Sequence, residues 1–289
     1  MKPAPFRYFA PTAVDEALDL LAEHGDDGSV LAGGQSLVPA MNFRLARPSV
    51  LVDINRIAAL DVVREEAGAL RIGALARHAR FEKPLAGGAL GALLPQVARH
   101  IAHLPIRARG TFCGSLAHAD PASEWCLVAA TLDAELVLAS RRGTRRLQPA
   151  DYFLGALTTA REPDELLTEA RLPLPGPGWR AGFAEFSRRA GDYALAMAAV
   201  FLQLDAGRIA AARIGVGGAT DRPQRIAAAE ALLAGGDATA ARRRAAADAA
   251  AEAIEPLEDI QAGAAYRRDL VRAMVERALD QAVCGTPAA

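Results

Sequence analysis

Hydrophobic positions in the first fifty residues switch between a helical and an extended period. Val14, Ala17, Leu18 and Leu21 recur at helical spacing, Thr12 and Asp15 are placed as a capping box, and Gly25 supplies a stop, so a helix is predicted over about 12–24. Val30-Leu31-Ala32 is a short β-prone run that leads into Gly33-Gly34-Gln35-Ser36, and Ser49 to Ile54 reads as a second strand. Val62-Val63 and Leu70-Arg71-Ile72 flank Glu66-Ala67-Gly68 as a hairpin, and an alanine-rich helix is predicted over about 89–103.

A second glycine-containing loop, Arg109 to Ser115, precedes Asp120-Pro121, where an aspartate N-cap and a first-turn proline predict a helix to about Thr131. Glu135–Leu138 and Arg145–Leu147 pair around Arg142-Gly143, and a strand near Leu166–Leu172 completes this unit. Pro173, Pro175, Gly176, Pro177 and Gly178 then mark a linker. Beyond it, Ala194–Leu204 and Ile209–Val216 form a long hairpin across Asp205-Ala206-Gly207-Arg208, and 226–284 is mostly helical. The expected class is α+β. Residues 1–175 form one domain of two small α/β subdomains (about 1–56 and 57–175), and 179–289 form an antiparallel sheet with a helical bundle.

Composition narrows the chemistry. With 289 residues, 52% hydrophobic and 23% charged, the chain has enough apolar mass for a sizeable core. The longest stretch without charge, Gly28 to Phe43, is broken by Gly33, Gly34 and Pro39, so no transmembrane helix is expected. The start of the chain lacks the apolar region of an export signal, and a cytoplasmic location follows as the expectation. A net charge of −1 gives no electrostatic basis for binding nucleic acid or a membrane surface. Cys113, Cys126 and Cys284 are widely spaced and encode neither a disulfide framework nor a metal site. His100 and His103 fall on one predicted helix, but a pair without a third ligand gives no metal centre. Arg242-Arg243-Arg244 reads as a solvated face. Gly215 to Thr220 lacks the third glycine of a dinucleotide fingerprint and reads as a strand end and turn.

The two glycine segments carry the chemistry. Each can aim backbone N–H groups at a phosphate without an obstructing Cβ, and two of them could hold the two ends of a pyrophosphate. Ala32-Gly33-Gly34-Gln35-Ser36-Leu37, then Pro105-Ile106-Arg107-x-Arg109-Gly110-Thr111-x-x-Gly114-Ser115-Leu116 with Asp120-Pro121-Ala122-x-Glu124, then Arg188-Arg189-x-Gly191-Asp192-Tyr193-Ala194 occur in that order. Together they resemble the FAD-binding medium subunit of molybdenum hydroxylases, the family of the carbon monoxide dehydrogenase medium subunit and the xanthine dehydrogenase flavin domain. The likeness extends to Ala265–Leu270 near the C-terminus.

The resemblance implies a PCMH-type FAD-binding domain followed by a C-terminal domain of the CO dehydrogenase flavoprotein type. It implies an FAD pyrophosphate held between Ala32–Leu37 and a second segment that includes Thr111, Cys113, Gly114 and Ser115. Asp120 and Glu124 would lie beside the ribityl and ribose hydroxyls, Leu167 would contact the ring system, and Asp192 and Tyr193 would approach the isoalloxazine. Cys113 replaces a usual glycine, Glu185 a common lysine and Trp125 a common proline. The implied partners are a large molybdopterin subunit and a small [2Fe–2S] subunit, as a dimer of heterotrimers, with this chain passing electrons to an external acceptor.

Plainer readings stand beside these. Cys113 is either a reactive thiol or a small buried space-filler, Asp120 and Glu124 are ordinary first-turn carboxylates, and Tyr193 is a core aromatic. At the level of function the alternatives are a stand-alone FAD oxidoreductase and a flavin-free nucleotide-binding or assembly protein on the same fold.

Overall fold

The helical period at the start of the chain becomes α1 (Val14–His24), which buries Ala17, Leu18 and Leu21. In the computed structural model, which describes residues 2–284, its entry is not the Thr12–Asp15 box. Ala13 is the N-cap, and the Glu16 carboxylate reaches back to accept from the Thr12 amide at 2.8 Å. The helix packs on a parallel sheet of order β1-β3-β2, formed by β1 (Arg7–Phe9), β2 (Gly28–Leu31) and β3 (Val50–Asp53). The short helix α2 (Leu37–Asn42) follows the first glycine segment.

The next unit is an antiparallel sheet of order β4-β5-β10-β6-β7, from β4 (Val63–Glu66), β5 (Ala69–Gly73), β6 (Glu135–Ser140), β7 (Gly143–Leu147) and β10 (Leu166–Pro173). Between β5 and β6 run α3 (Gly88–His100), α4 (Leu104–Arg107), α5 (Phe112–His118) and α6 (Glu124–Thr131). Helix α7 (Pro149–Tyr152) and the small hairpin of β8 (Phe153–Gly155) and β9 (Thr158–Thr159) precede β10.

Three expectations are corrected in this region. The segment read as a second loop is the first turn of α5: Thr111 is its N-cap, and its Oγ1 accepts from the Gly114 amide at 3.0 Å. Asp120 does not start the following helix. Its carboxylate accepts from the Ala122 amide at 2.9 Å and closes a turn, after the left-handed Ala119 ends α5, so α6 begins only at Glu124. His100 and His103 share no helix, because α3 ends at His100 and His103 is the N-cap of α4.

After Pro173, β11 (Trp179–Phe186), β12 (Ala196–Asp205), β13 (Arg208–Gly217) and β14 (Gln224–Arg225) form an antiparallel sheet in that order. The β12–β13 turn places Ala206 and Gly207 at φ 46° and 81°, the left-handed pair that matches the strand twist. Helices α8 (Ala227–Leu233), α9 (Ala240–Glu252) and α10 (Ala264–Cys284) cover one face. Residues 285–289 of the expected C-terminal domain lie outside the described residues.

Strand β12 is buried on both sides, and its two-residue period sorts the side chains. Met197, Ala199 and Phe201 join the core that includes α3 and α6, whereas Ala196, Ala198, Val200 and Leu202 join the core under α9 and α10. Apolar packing is therefore continuous across the Pro/Gly-rich segment. Arg242–Arg244 is more than a solvated face, since Arg243 and Arg244 ion-pair with Asp280 and Glu276 of α10.

The approach of α10 to the sheet depends on Gly182, where a Cβ would lie 2.0 Å from the Ala278 carbonyl oxygen. Gly182→Ala should cost about 1–3 kcal/mol by forcing the helix outward, read as a thermal midpoint several degrees lower. An unchanged midpoint would show that the helix is not held at that distance.

Candidate functional site

Gly33 is where two distant parts of the chain touch. A Cβ on it would fall 2.5 Å from the Arg109 carbonyl oxygen and 2.6 Å from the Gly110 Cα, so no other residue fits without moving the backbone. Gly34 adopts φ +72°, which turns the chain from β2 into α2. A side-chain bracket holds the junction. Asn55 donates from Nδ2 to the Ala32 carbonyl at 2.8 Å, and Arg77 donates both to Asn55 Oδ1 and to the Arg109 carbonyl. Asp53 steadies the bracket by accepting from the Asn55 amide at 2.9 Å. Backbone bonds from the His78 amide to Gly110 and from the Phe112 amide to Ala76 tie in the second segment at 3.0 and 2.9 Å.

Around this junction lies a cavity of about 330 Å³. Ala32, Gly33, Gly34, Gln35, Ser36 and Leu37 line it from one side, and Thr111, Cys113, Gly114 and Ser115 from the other, with Leu167 on its wall. Among the described residues, the amides of Gly33, Gly34, Gln35 and Ser36 donate no hydrogen bond to the protein; Gly33 is buried, Gly34 and Gln35 are half-buried and Ser36 is exposed, so the row is open to a ligand. The charged groups in the wall, by contrast, are already engaged. Arg161 donates from Nη1 to the carbonyls of Glu162 and Glu165, each at 2.9 Å, and the Glu165 carboxylate takes two bonds from Arg145 at 2.6 and 2.8 Å. What the cavity offers a ligand is chiefly the main-chain N–H groups of Gly33 to Ser36, an arrangement suited to phosphate oxygens; across from them the Phe112, Gly114 and Ser115 amides already donate to Ala76, to Thr111 Oγ1 and to the Thr111 carbonyl.

Asp120, Glu124, Asp192 and Tyr193 do not line that cavity; Asp120, Glu124 and Tyr193 lie near one another as a second group, with Asp192 next to Tyr193 in the chain. Burial, then the neighbouring Glu185 carboxylate, holds the Glu124 carboxyl well above its ordinary range. Glu185 is itself nearly sealed, with its Oε1 3.7 Å from His100 Nδ1 and no partner for Oε2. Tyr193 is 66% exposed rather than a core aromatic, and its phenol is pushed up by partial burial and by the Asp120 and Glu124 charges. Asp192 follows the left-handed Gly191, which packs against the His103 ring.

The reactive-thiol reading of Cys113 fails. Burial drives its thiol far up, out of the range of a useful thiolate, and Sγ sits 3.5 Å from the Ile72 carbonyl. Among the described residues no group of three His, Cys, Asp or Glu side chains is placed to hold a metal, and no helix is long and apolar enough to cross a membrane.

Sequence reasoning missed Asn55, Arg77 and His78. None belongs to a motif, and each matters through a partner between 22 and 47 positions away. His78 is 4% exposed and lines the cavity, and its Nδ1 accepts the Trp125 indole N–H at 3.0 Å. Burial, helped by the Arg77 and Arg107 charges, depresses its pKa to about 4.

The imidazole is thus neutral in the fold and takes a proton on unfolding below its ordinary pKa of about 6.5. Its contribution to stability should be complete above about pH 6.5 and lost as pH falls toward about 4. Denaturant titrations of the wild type and His78→Asn from pH 7.5 to 4.5 isolate it. The difference between them should shrink as the pH drops, and a constant difference would contradict the buried neutral ring.

Comparison with known proteins agrees with this architecture over the whole chain. Residues 4–175 match the family described as FAD binding domain in molybdopterin dehydrogenase, and residues 181–282 match the CO dehydrogenase flavoprotein C-terminal domain. The nicotine 6-hydroxylase medium subunit of Paenarthrobacter nicotinovorans is 39% identical over 282 residues, covering 98% of this chain and 99% of that protein. A carbon monoxide dehydrogenase structure from Hydrogenophaga pseudoflava, which lacks the Mo-pyranopterin moiety, superposes with a TM-score of 0.94 at 36% identity and 99% coverage of both chains. Quinoline 2-oxidoreductase from Pseudomonas putida 86 gives 0.91 at 37% identity, also covering 99% of each chain. The chain belongs to the family of FAD-binding medium subunits of molybdenum hydroxylases, as an oxidoreductase component.

Proposed function

We propose that this chain holds FAD with its diphosphate at the Gly33–Gly110 junction and passes electrons from [2Fe–2S] clusters of a small partner subunit to an external acceptor. A large molybdopterin subunit completes the complex, as a dimer of heterotrimers. The observation that carries the reading is that Gly33 to Ser36, whose amides donate no hydrogen bond among the described residues, line one cavity together with the first turn of α5. Bound FAD would supply the redox chemistry, and the protein's part is to bind, orient and tune it.

Each residue then has a task. Ala32 through Leu37 hold one end of the diphosphate, and the Thr111, Cys113, Gly114 and Ser115 segment holds the other. Leu167, buried on the cavity wall, gives the ring system an apolar contact. Asp120 and Glu124 accept from ribityl and ribose hydroxyls, and Asp192 and Tyr193 border the isoalloxazine. The second group's separation from the diphosphate cavity suits a long cofactor whose two ends need different surroundings. Glu185, in place of the common lysine, puts a buried carboxylate beside Glu124 and changes the local charge.

Purification of the complex tests this reading. Flavin absorption bands, with iron, molybdenum and two further polypeptides at fixed ratio, are expected; a colourless protein that takes up no added FAD would sink it. Within the complex, Gly34→Asp should abolish FAD retention, because its Cβ would crowd Leu31 and Val38 at 3.0 and 3.2 Å and its carboxylate would add negative charge to the turn beside the diphosphate. Gly34→Asn shares the left-handed strain at φ +72° without the charge and should retain more flavin. Equal retention by both variants would count against the diphosphate position. Tyr193→Ala, at an exposed position, should leave FAD bound and change the rate of flavin reoxidation; superimposable stopped-flow traces would refute its place beside the ring.

A further inference from the structure

His78 lies on the cavity wall but in none of the motifs, and its ring has only one committed nitrogen. The Trp125 indole nitrogen is a donor without acceptor capacity, and it stands 3.0 Å from His78 Nδ1. Nδ1 must therefore present its lone pair. A neutral imidazole has one N–H, so that proton is on Nε2. Rotating the ring by half a turn would put a carbon against the indole N–H and leave a fully buried donor without a partner.

The other end of the ring reaches the junction. A Cβ on Gly110 would lie 2.6 Å from His78 Nε2, so the glycine is what lets this nitrogen come up against the second segment. Among the described residues Nε2 has no protein partner, although the ring is almost wholly buried and borders the cavity. Trp125 fixes the ring further by packing on Phe81 and Phe112, with centroids 5.1 and 5.0 Å away.

We infer that His78 is a further ligand-binding residue, whose Nε2–H donates to a diphosphate oxygen of the bound cofactor and whose tautomer is set by the Trp125 indole. The inference rests on the FAD reading above and assigns that site a side-chain donor besides the amides. A neutral donor suits this place. Arg77 and Arg107 already raise the positive potential at the ring, and a neutral imidazole donates to phosphate without the desolvation cost of burying another cation.

Two substitutions separate the donor from a merely structural role. In His78→Asn the shorter side chain keeps an acceptor near the indole and loses the donor at the cavity. In His78→Gln the amide nitrogen reaches the position of Nε2 while the indole loses its acceptor. With the full-length chain stripped of flavin and titrated with FAD, His78→Asn should bind about tenfold more weakly or worse, the loss of one hydrogen bond to a charged group. His78→Gln should stay within about threefold of wild type while unfolding at a lower temperature. Independently of any variant, ¹⁵N spectra of histidine-labelled wild type should show the Nε2–H tautomer at neutral pH, and the Nε2 resonance should move when FAD is added. Unweakened FAD binding by His78→Asn, or an Nε2 signal indifferent to FAD, would overturn the role of His78 and leave the FAD reading standing. Wild type that takes up no FAD would remove both.

Discussion

Everything at the site follows from one close approach, that of Gly33 to the backbone of Arg109 and Gly110. A Cβ at residue 33 would overlap the Arg109 carbonyl, so the two segments can share a cavity only if this position is glycine. The approach leaves the Gly33–Ser36 amides without protein acceptors on the cavity side. Being only partly covered, most of them are available to a ligand rather than sealed in the core. The Asn55–Arg77 bracket keeps the two backbones at this spacing and prevents them from relaxing apart.

The charges around the cavity are arranged so that they do not compete with the amides. Arg161 is tied to main-chain carbonyls and Glu165 to Arg145, so neither is free to collapse into the opening. His78 stays neutral through burial. An anion entering such a site would meet fixed dipoles that need little reorganisation, an advantage over mobile ammonium or guanidinium groups, which must first shed water. The carboxylates are gathered elsewhere, at Asp120, Glu124 and Glu185, where hydroxyl donors rather than phosphate oxygens would suit them. One elongated ligand could thus meet two environments of opposite character within one chain.

Strand β12 links this site to the rest of the chain. Because both its faces are buried, its alternate residues belong to two different cores, and the C-terminal sheet packs against α3 and α6 on one face and against its own helices on the other. The Pro/Gly-rich stretch after Pro173 interrupts the main chain but not the packing. Tyr193, on the segment entering β12, has an exposed ring but is followed directly by the buried Ala194 and Leu195, which anchor it to the packed sheet.

Local order determined much of this in advance. The helical spacing of Val14 to Leu21, the β4–β5, β6–β7 and β12–β13 hairpins, and the alanine-rich C-terminal helices are all set by periodicity and turn chemistry between near neighbours, and the sequence states them directly. So do the three ordered motifs, which identify the family. Element starts were less legible. Thr111 and Asp120 are both good caps, and which of them opened a helix depended on the left-handed Ala119 and on how α5 met β5 and β10. The division of the candidate site residues between the cavity and a separate acidic group, the exposure of Tyr193, the inertness of Cys113 and the engagement of Asn55, Arg77 and His78 were decided by tertiary structure alone. The physical reason is range: burial, and hydrogen bonds spanning tens of residues, do not exist until distant segments are packed together, whereas a helical stripe or a turn is complete within a few residues of itself.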